Sequence, residues 1–395
     1  MKIQAAVTRA PAMPMSLEIL ELAEPRDDEI LVRLVATGVC HTDMAMRDQM
    51  FPVPQPIVLG HEGAGIVEKV GGGVSEVVPG DHVVMSYNSC GHCPSCLDDE
   101  ASYCHDFFGH NFAGVRADGT SALSKGKERI HGNFFGQSSF ASYALCHPRN
   151  VVKVRKDVPL EILGPLACGV QTGAGAVINA LKVGVGNSIA VFGAGSVGLS
   201  AVMAARVVGA TTIVAVDVNK DRLRLATKLG ATHVVNGADD VAAQVIDITG
   251  GGATFTFDTT GLANVVRTAV DSLAPRGTCG IVGASPLGTE VTLDLMFMMA
   301  SGRKFRGIVE GDATPQVFIP ILIDLYTQGR FPFDKLMTFY PLERINDAIH
   351  DSETGKVVKP ILRMAATGAG AASQKSGKKK KLSARQPPSL AEVRK

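Results

Sequence analysis

Ser188-Ile189-Ala190-Val191-Phe192-Gly193-Ala194-Gly195-Ser196-Val197-Gly198-Leu199 decides the fold. An apolar run suited to a buried strand leads directly into G-x-G-x-x-G, and the Ala/Val-rich residues that follow read as a helix. In a chain with 43 glycines the motif alone carries little. Its context carries it, because Asp217 ends the next β-like run, 19 residues after Gly198. Gly193, Gly195 and Gly198 let the backbone turn tightly and approach a pyrophosphate, while the helix N-terminus supplies amide donors and the positive end of its dipole. Asp217 suits an adenosine ribose diol and repels a 2′-phosphate, and no Arg follows at Val218 or Asn219. The pattern predicts a dinucleotide site that prefers NAD to NADP.

Outward from that motif the rhythm continues. Strands are expected at 212–216, 232–235, 253–258 and 277–282, with helices at 197–208, 221–229, 241–249 and near 262–273. Repeated βα units build a doubly wound parallel sheet with helices on both faces, so the fold class is α/β. Upstream, residues 1–160 read as short β-rich segments broken by Gly, Pro and Asn/Asp clusters, with no long amphipathic helix. Downstream, a helix near 315–327 and a final βαβ-like piece ending at Arg363 predict a return to the first domain. The expected organisation is a β-rich domain over 1–169, a nucleotide-binding domain over 170–309, a return to the first over 310–364, and a tail over 365–395.

A length of 395 residues fits two domains, and 46% hydrophobic with 19% charged residues gives material for buried cores. The net charge of +1 hides an asymmetry: residues 366–395 carry +7 and the remainder −6. A mildly acidic body gives no general reason to bind nucleic acid. The basic tail lies in Gly/Ala/Ser/Gln/Pro-rich sequence and reads as a solvated disordered segment; a weak polyanion patch is the alternative. The uncharged stretch 183–205 is long enough to span a bilayer, yet its five glycines divide it into strand, turn and helix, so no membrane span is expected. No secretory signal is read at the N-terminus, and a cytoplasmic location is expected.

Eight cysteines without an export signal point to metal or catalysis rather than disulfides. Cys90, Cys93, Cys96 and Cys104 follow C-x2-C-x2-C-x7-C, a spacing that lets four thiolates converge on one cation. A structural zinc is predicted, with an iron–sulfur cluster as the residual alternative. Four thiolates leave no coordination position for substrate, so this metal staples a lobe. Cys40, His61 and Cys168 form a second set of the open Cys2His type. Each alone is weak, because buried cysteines and satisfied histidines are common structural residues.

Gly60-His61-Glu62-x2-Gly65-x5-Gly71-x2-Val74, taken with the four-cysteine lobe and the glycine fingerprint, is similar to the zinc-containing alcohol dehydrogenases of the medium-chain dehydrogenase/reductase family. The resemblance runs from about residue 1 to 364. It implies a GroES-like catalytic domain beside the Rossmann domain, and two zinc ions per chain. It makes Cys40, His61 and Cys168 the catalytic zinc ligands, Glu62 a carboxylate that visits the metal, and Asp43 the partner orienting His61. Thr42 matches the position whose hydroxyl takes the proton from the alcohol. Arg222 matches a basic position beside the ribose, Lys359 one near the pyrophosphate, and Thr172 and Val197 positions behind the nicotinamide. Ala45 stands where many members carry a proton-relay histidine. His41 then contacts a cofactor phosphate, passes the proton on, or is merely solvated. Cys146 and Cys279 match no ligand position and read as packing.

Asn133-Phe134-Phe135-Gly136-Gln137-Ser138-Ser139-Phe140-Ala141 is similar to the aryl- and allyl-alcohol branch of this family. The branch implies a primary aromatic or allylic alcohol as substrate. Phe134, Phe135 and Phe140 either line an aromatic pocket or belong to the core. A formaldehyde- or polyol-directed relative and a catalytically silent dinucleotide-binding protein are the competing readings. Family members usually pair through the sheet edge of the cofactor domain, so a homodimer or homotetramer is expected.

Overall fold

The inner strands of the nucleotide-binding sheet are short runs rich in apolar and β-branched residues, and in the computed structural model, which describes residues 1–365, its six strands align in parallel. The order across the sheet is His233–Asn236, Thr212–Asp217, Ser188–Phe192, Ala253–Asp258, Leu273–Ile281 and Lys304–Gly307. Ser188–Phe192 is central. Ile189 faces Ile213 on one side and Phe255 on the other, and residues 189–192 are buried. All described pairings in this sheet are parallel, as alternating strands and helices require. Strand order reverses outward from Ser188–Phe192, which places the glycine turn at the sheet's switch point, where open α/β sheets take their ligands. The strand expected at 277–282 begins earlier, at Leu273, because a register shift between Ala253 and Phe255 extends its pairing.

The stretch 183–205 resolves into a turn, this strand and the twelve-residue helix Ser196–Val207. Among the described residues no helix is long and apolar enough to cross a membrane. The basic tail, expected to be disordered, lies outside the described residues.

The β-rich part forms two further sheets. In one, Ile30–Gly38 lies between Glu62–Val70 and Lys359–Arg363. Met337–Pro341 pairs in parallel with Lys359–Arg363, with the helix Ile345–Glu353 between them in sequence, so the last described strands complete the sheet that Ile30–Gly38 begins. In the other, Lys2–Thr8 and Ser16–Leu22 make a hairpin, flanked by Ile57–Val58 and by Leu123–Lys125 with Glu128–Ile130.

The helix Gly169–Gly175 joins the two regions. A Cβ on Gly173 would stand 2.0 Å from Val197 O, so glycine lets it approach the helix Ser196–Val207 closely. Cys168 immediately precedes this helix and the glycine turn precedes the other. The contact therefore sets the distance between a metal ligand and the nucleotide cleft.

Candidate active site and metal centres

The four-cysteine lobe is built locally. Gly91 takes φ +80, Cys93 caps the short helix Pro94–Leu97, and Cys104 ends the turn Ala101–Tyr103. The four Sγ atoms lie within 4.8 Å of one another. Backbone N–H groups point at the sulfurs: Cys93 N donates to Cys90 Sγ at 3.3 Å, His105 N to Cys93 Sγ at 3.4 Å and Cys90 N to Cys104 Sγ at 3.3 Å. The N–H of His105 draws the Cys93 thiol down to about 6, and that of His92 lowers Cys90. Burial pushes Cys104 up to about 12 and raises Cys96. Four convergent sulfurs, two already favoured as thiolates, suit a tetrahedral structural zinc with no open position.

The second set is assembled from three distant segments. Cys40 caps the helix His41–Arg47, and Asp43 in its first turn is fully buried. The Asp43 carboxylate accepts from Cys40 N at 3.0 Å and Gly60 N at 3.1 Å, and lies 2.9 Å from His61 Nδ1. These bonds hold the imidazole with Nδ1–H toward Asp43 and leave Nε2 as the free ligand atom. His61 Nε2 is buried and has no hydrogen-bond partner. Ligand atoms of Cys40, His61, Glu62 and Cys168 lie within 4.8 Å of one another. An orphaned nitrogen among two sulfurs and a carboxylate fits a zinc ion, which would be held by Cys40, His61 and Cys168.

Glu62 lies against this set, fully buried, with both oxygens on Lys359 Nζ at 2.8 and 2.9 Å and one accepting from Gly169 N at 3.2 Å. Burial raises the Glu62 carboxyl, against the pull of the Lys359 charge. Burial alone would lower Lys359, but the charge and hydrogen bond of Glu62 together with the charges of Cys40 and Cys168 raise the ammonium. The hydrogen bond from Cys168 draws Cys40 well below the ordinary thiol range, and the same bond pushes Cys168 up. A divalent cation bound there would take the place of that shared proton and hold both sulfurs as thiolates.

Beside the ligands opens a cavity of about 450 Å³, lined by Cys40, Thr42, Cys168, Thr172 and Val197 and by Phe51, Phe107, Phe108, Phe112 and Phe135. Thr42 Oγ1 stands 3.8 Å from Cys40 Sγ. His41 is exposed and also lines the cavity, whereas Ala45 is buried in the helix. Of the three phenylalanines considered for an aromatic pocket, only Phe135 reaches the cavity; Phe134 and Phe140 are both 0% exposed and belong to the core.

Sequence reasoning missed the other four aromatics. Phe107, Phe108 and Phe112 sit on the helix Phe107–Phe112, just after Cys104, and that adjacency was the available signal. Glu310 was missed as well. It is the carboxylate on the cavity wall, accepting from Gln171 at 3.1 Å and Thr172 at 3.3 Å, and burial pushes it up to about 7.

A second cavity, of about 510 Å³, lies over the glycine turn and is lined by Gly193, Gly195, Asp217 and Arg222. Gly193 has φ +92, and a Cβ on Gly198 would meet Gly193 O at 1.8 Å. Beside Gly195 lies open space that a side chain would fill, which leaves the backbone free to face a phosphate. Asp217 accepts from Ala194 N and Asn219 N, both at 2.7 Å. Arg222 Nε is buried without a partner. Lys359, expected near the pyrophosphate, lines neither cavity and is engaged by Glu62 instead.

Two family descriptions match the chain: "Alcohol dehydrogenase GroES-like domain" over residues 26–156 and "Zinc-binding dehydrogenase" over 196–328. A geraniol dehydrogenase of Castellaniella defragrans is 47% identical over 362 residues, covering 91% of this chain and 97% of that protein. The crystal structure of benzyl alcohol dehydrogenase from Acinetobacter calcoaceticus superposes with a TM-score of 0.90 at 49% identity, covering 92% of this chain and 100% of that one. An alcohol dehydrogenase zinc-binding domain protein from Burkholderia ambifaria gives 0.91 at 55% identity, over 92% and 99%.

Proposed function

The chain belongs to the zinc-binding alcohol dehydrogenases with a GroES-like domain, and from that premise we propose that it oxidises primary aryl or allylic alcohols to aldehydes, reversibly, with NAD. The observation that carries this reading is a cavity lined by Cys40 and Cys168 together with five phenylalanines. Flat, conjugated carbinols fill such a space by stacking and apolar contact. The relatives named for geraniol and benzyl alcohol support the same substrate class.

Zinc bound by Cys40, His61 and Cys168 would polarise the substrate oxygen, as it lowers the pKa of bound water from ~15.7 to ~7, and a nicotinamide would accept the hydride. Thr42 is placed to take the alcohol proton, because its hydroxyl stands beside Cys40 on the cavity wall. With Ala45 carrying no ionisable atom, His41 at the mouth is the group that hands the proton to solvent. Glu62 and Lys359 cancel each other's charge, so the ligand set presents two thiolates and a neutral imidazole to the metal. Asp217 favours a ribose diol, Arg222 flanks it, and Thr172 and Val197 shape the wall where the nicotinamide would lie.

Self-association through the edge strand Lys304–Gly307 is part of the reading, supported by the adjacent helix Leu295–Ala300, where Leu295 is 80% and Met299 69% exposed. Six cysteines committed as metal thiolates suit a reducing, cytoplasmic location. The test is NAD reduction over a panel of benzyl, allylic and short aliphatic alcohols. Benzyl and allylic alcohols are expected to give the higher kcat/KM, and a consistent preference for short aliphatic alcohols would reject the substrate class.

A further inference from the structure

The segment that invited an aromatic pocket does other work. Phe134–Phe140 runs behind the loop carrying His61, and four successive carbonyls of that loop accept from it. Ser138 Oγ donates to Val58 O at 2.6 Å, Phe140 N to Leu59 O at 3.0 Å, Ser139 N to Gly60 O at 2.9 Å and Gln137 Nε2 to His61 O at 3.0 Å. Gln137 also accepts from Gly63 N at 3.1 Å, so its amide grips the backbone on both sides of Glu62. Nε2 further reaches Met85 O at 2.9 Å and Ser86 O at 3.2 Å, which ties the ligand loop to the neighbouring strand.

The segment is rigid for stated reasons. Asn133, Phe135, Gly136 and Ser138 all take positive φ, at 59, 50, 63 and 57°, a conformation that non-glycine residues hold only when their surroundings impose it. Ser138 Oγ accepts from Phe134 N, and Asn150 Nδ2 donates to the carbonyls of Phe135 and Gly136. From this frame Phe135 stacks on the His61 ring at 4.6 Å and 27°, and Phe134 meets it edge-on at 5.6 Å. Asp43 and the two rings orient the imidazole. At His61 O and Gly63 N the side chain bonded to the backbone is Gln137, which is 2% exposed.

We propose that Gln137 is a positioning residue for the catalytic metal, fixing the backbone at His61 and Gly63 so that Nε2 and the Glu62 carboxylate keep their places in the ligand set. The proposal rests on a metal at Cys40, His61 and Cys168 and is independent of the substrate class. Gln137→Met keeps the volume and removes every one of these bonds.

The experiment loads the full-length protein with Co2+ at that set and zinc in the four-cysteine lobe. It reads the visible cobalt spectrum, the release of each metal to a chelator, and kcat and KM for benzyl alcohol. In Gln137→Met the cobalt bands shift and cobalt leaves about 10- to 100-fold faster, the range for lost partners of metal ligands. The lobe zinc leaves at the wild-type rate, and kcat falls by a larger factor than KM rises. Val214→Ala, a cavity in the core of the nucleotide-binding sheet, lowers thermal stability and leaves the cobalt spectrum unchanged. If Gln137→Met does not fold, Gln137→Asn, one methylene too short to span the same atoms, gives the shift in milder form. A wild-type spectrum and release rate in the Gln137 variant overturn the proposal, and so does equal acceleration at both metals. A wild-type protein that takes up no cobalt at Cys40, His61 and Cys168 overturns the metal reading itself.

Discussion

The two metal centres share chemistry and differ in how the chain makes them. The lobe draws all its ligands from residues 90–104, whereas the other centre joins Cys40, His61 and Cys168 through a sheet, two helix ends and a buried carboxylate. Four thiolates around a dication leave two net negative charges and no vacant position; two thiolates and an imidazole leave a neutral centre open on one side. The first arrangement holds structure. The second would keep the cation a strong Lewis acid, and its histidine is oriented by a residue outside the ligand set, Asp43.

The largest expected effect separates the centres outright. Cys40→Ala should lose one of two zinc ions per chain and all activity above background while the lobe keeps its metal, as metal analysis and NAD reduction report. Loss of both metals would show the centres to be one cooperative unit. Next, Cys93→Ser should empty the lobe and lower unfolding free energy by about 3 kcal/mol or more, read by denaturant titration with zinc content measured alongside. Retained stability would remove the lobe's structural role. Asp43→Asn should lower catalytic-zinc affinity about 10- to 100-fold with lobe zinc unaffected, since His61 loses the charge that orients it. Competition with a chelator measures this.

The smallest effect comes from an ion pair outside both centres. Arg9 draws the Glu18 carboxyl down to about 2 from 4.5. Its depressed folded-state value means stability present above pH 4.5 and lost as pH falls toward 2. The pair is partly solvated, so Glu18→Gln should change stability by less than about 1 kcal/mol at pH 6 and flatten its decline below pH 4.5. Urea midpoints at the two pH values test the sign.

The same contrast explains what could be read in advance. The lobe and the parallel sheet were legible because their signals are contiguous: C-x2-C-x2-C within one loop, and strands alternating with helices at regular spacing. Cys40, His61 and Cys168 became a set only through resemblance, because no local pattern states that three remote loops meet. Phe51 and Phe112 escaped notice for that reason, since each is an ordinary apolar residue until the folded chain faces it toward Cys168. Glu310 sits at φ 51 in a left-handed turn that no local preference announces. Lys359 was expected near the pyrophosphate, and its ammonium meets the Glu62 carboxylate, a neighbour brought to it by the folded chain from 297 residues away. The segment 133–141 was noticed for its rings, while its amide was overlooked, because a glutamine in a loop is ordinarily solvated.

Three of the cavity's phenylalanines ride on a six-residue helix suspended directly from Cys104. Phe107 and Phe112 pack on Phe135, which stacks on His61, so the selective side of the chamber also braces the reactive side. A change in that short insert would therefore alter both the shape of molecule admitted and the setting of the imidazole. A cation held by Cys90, Cys93, Cys96 and Cys104 would fix where that insert begins.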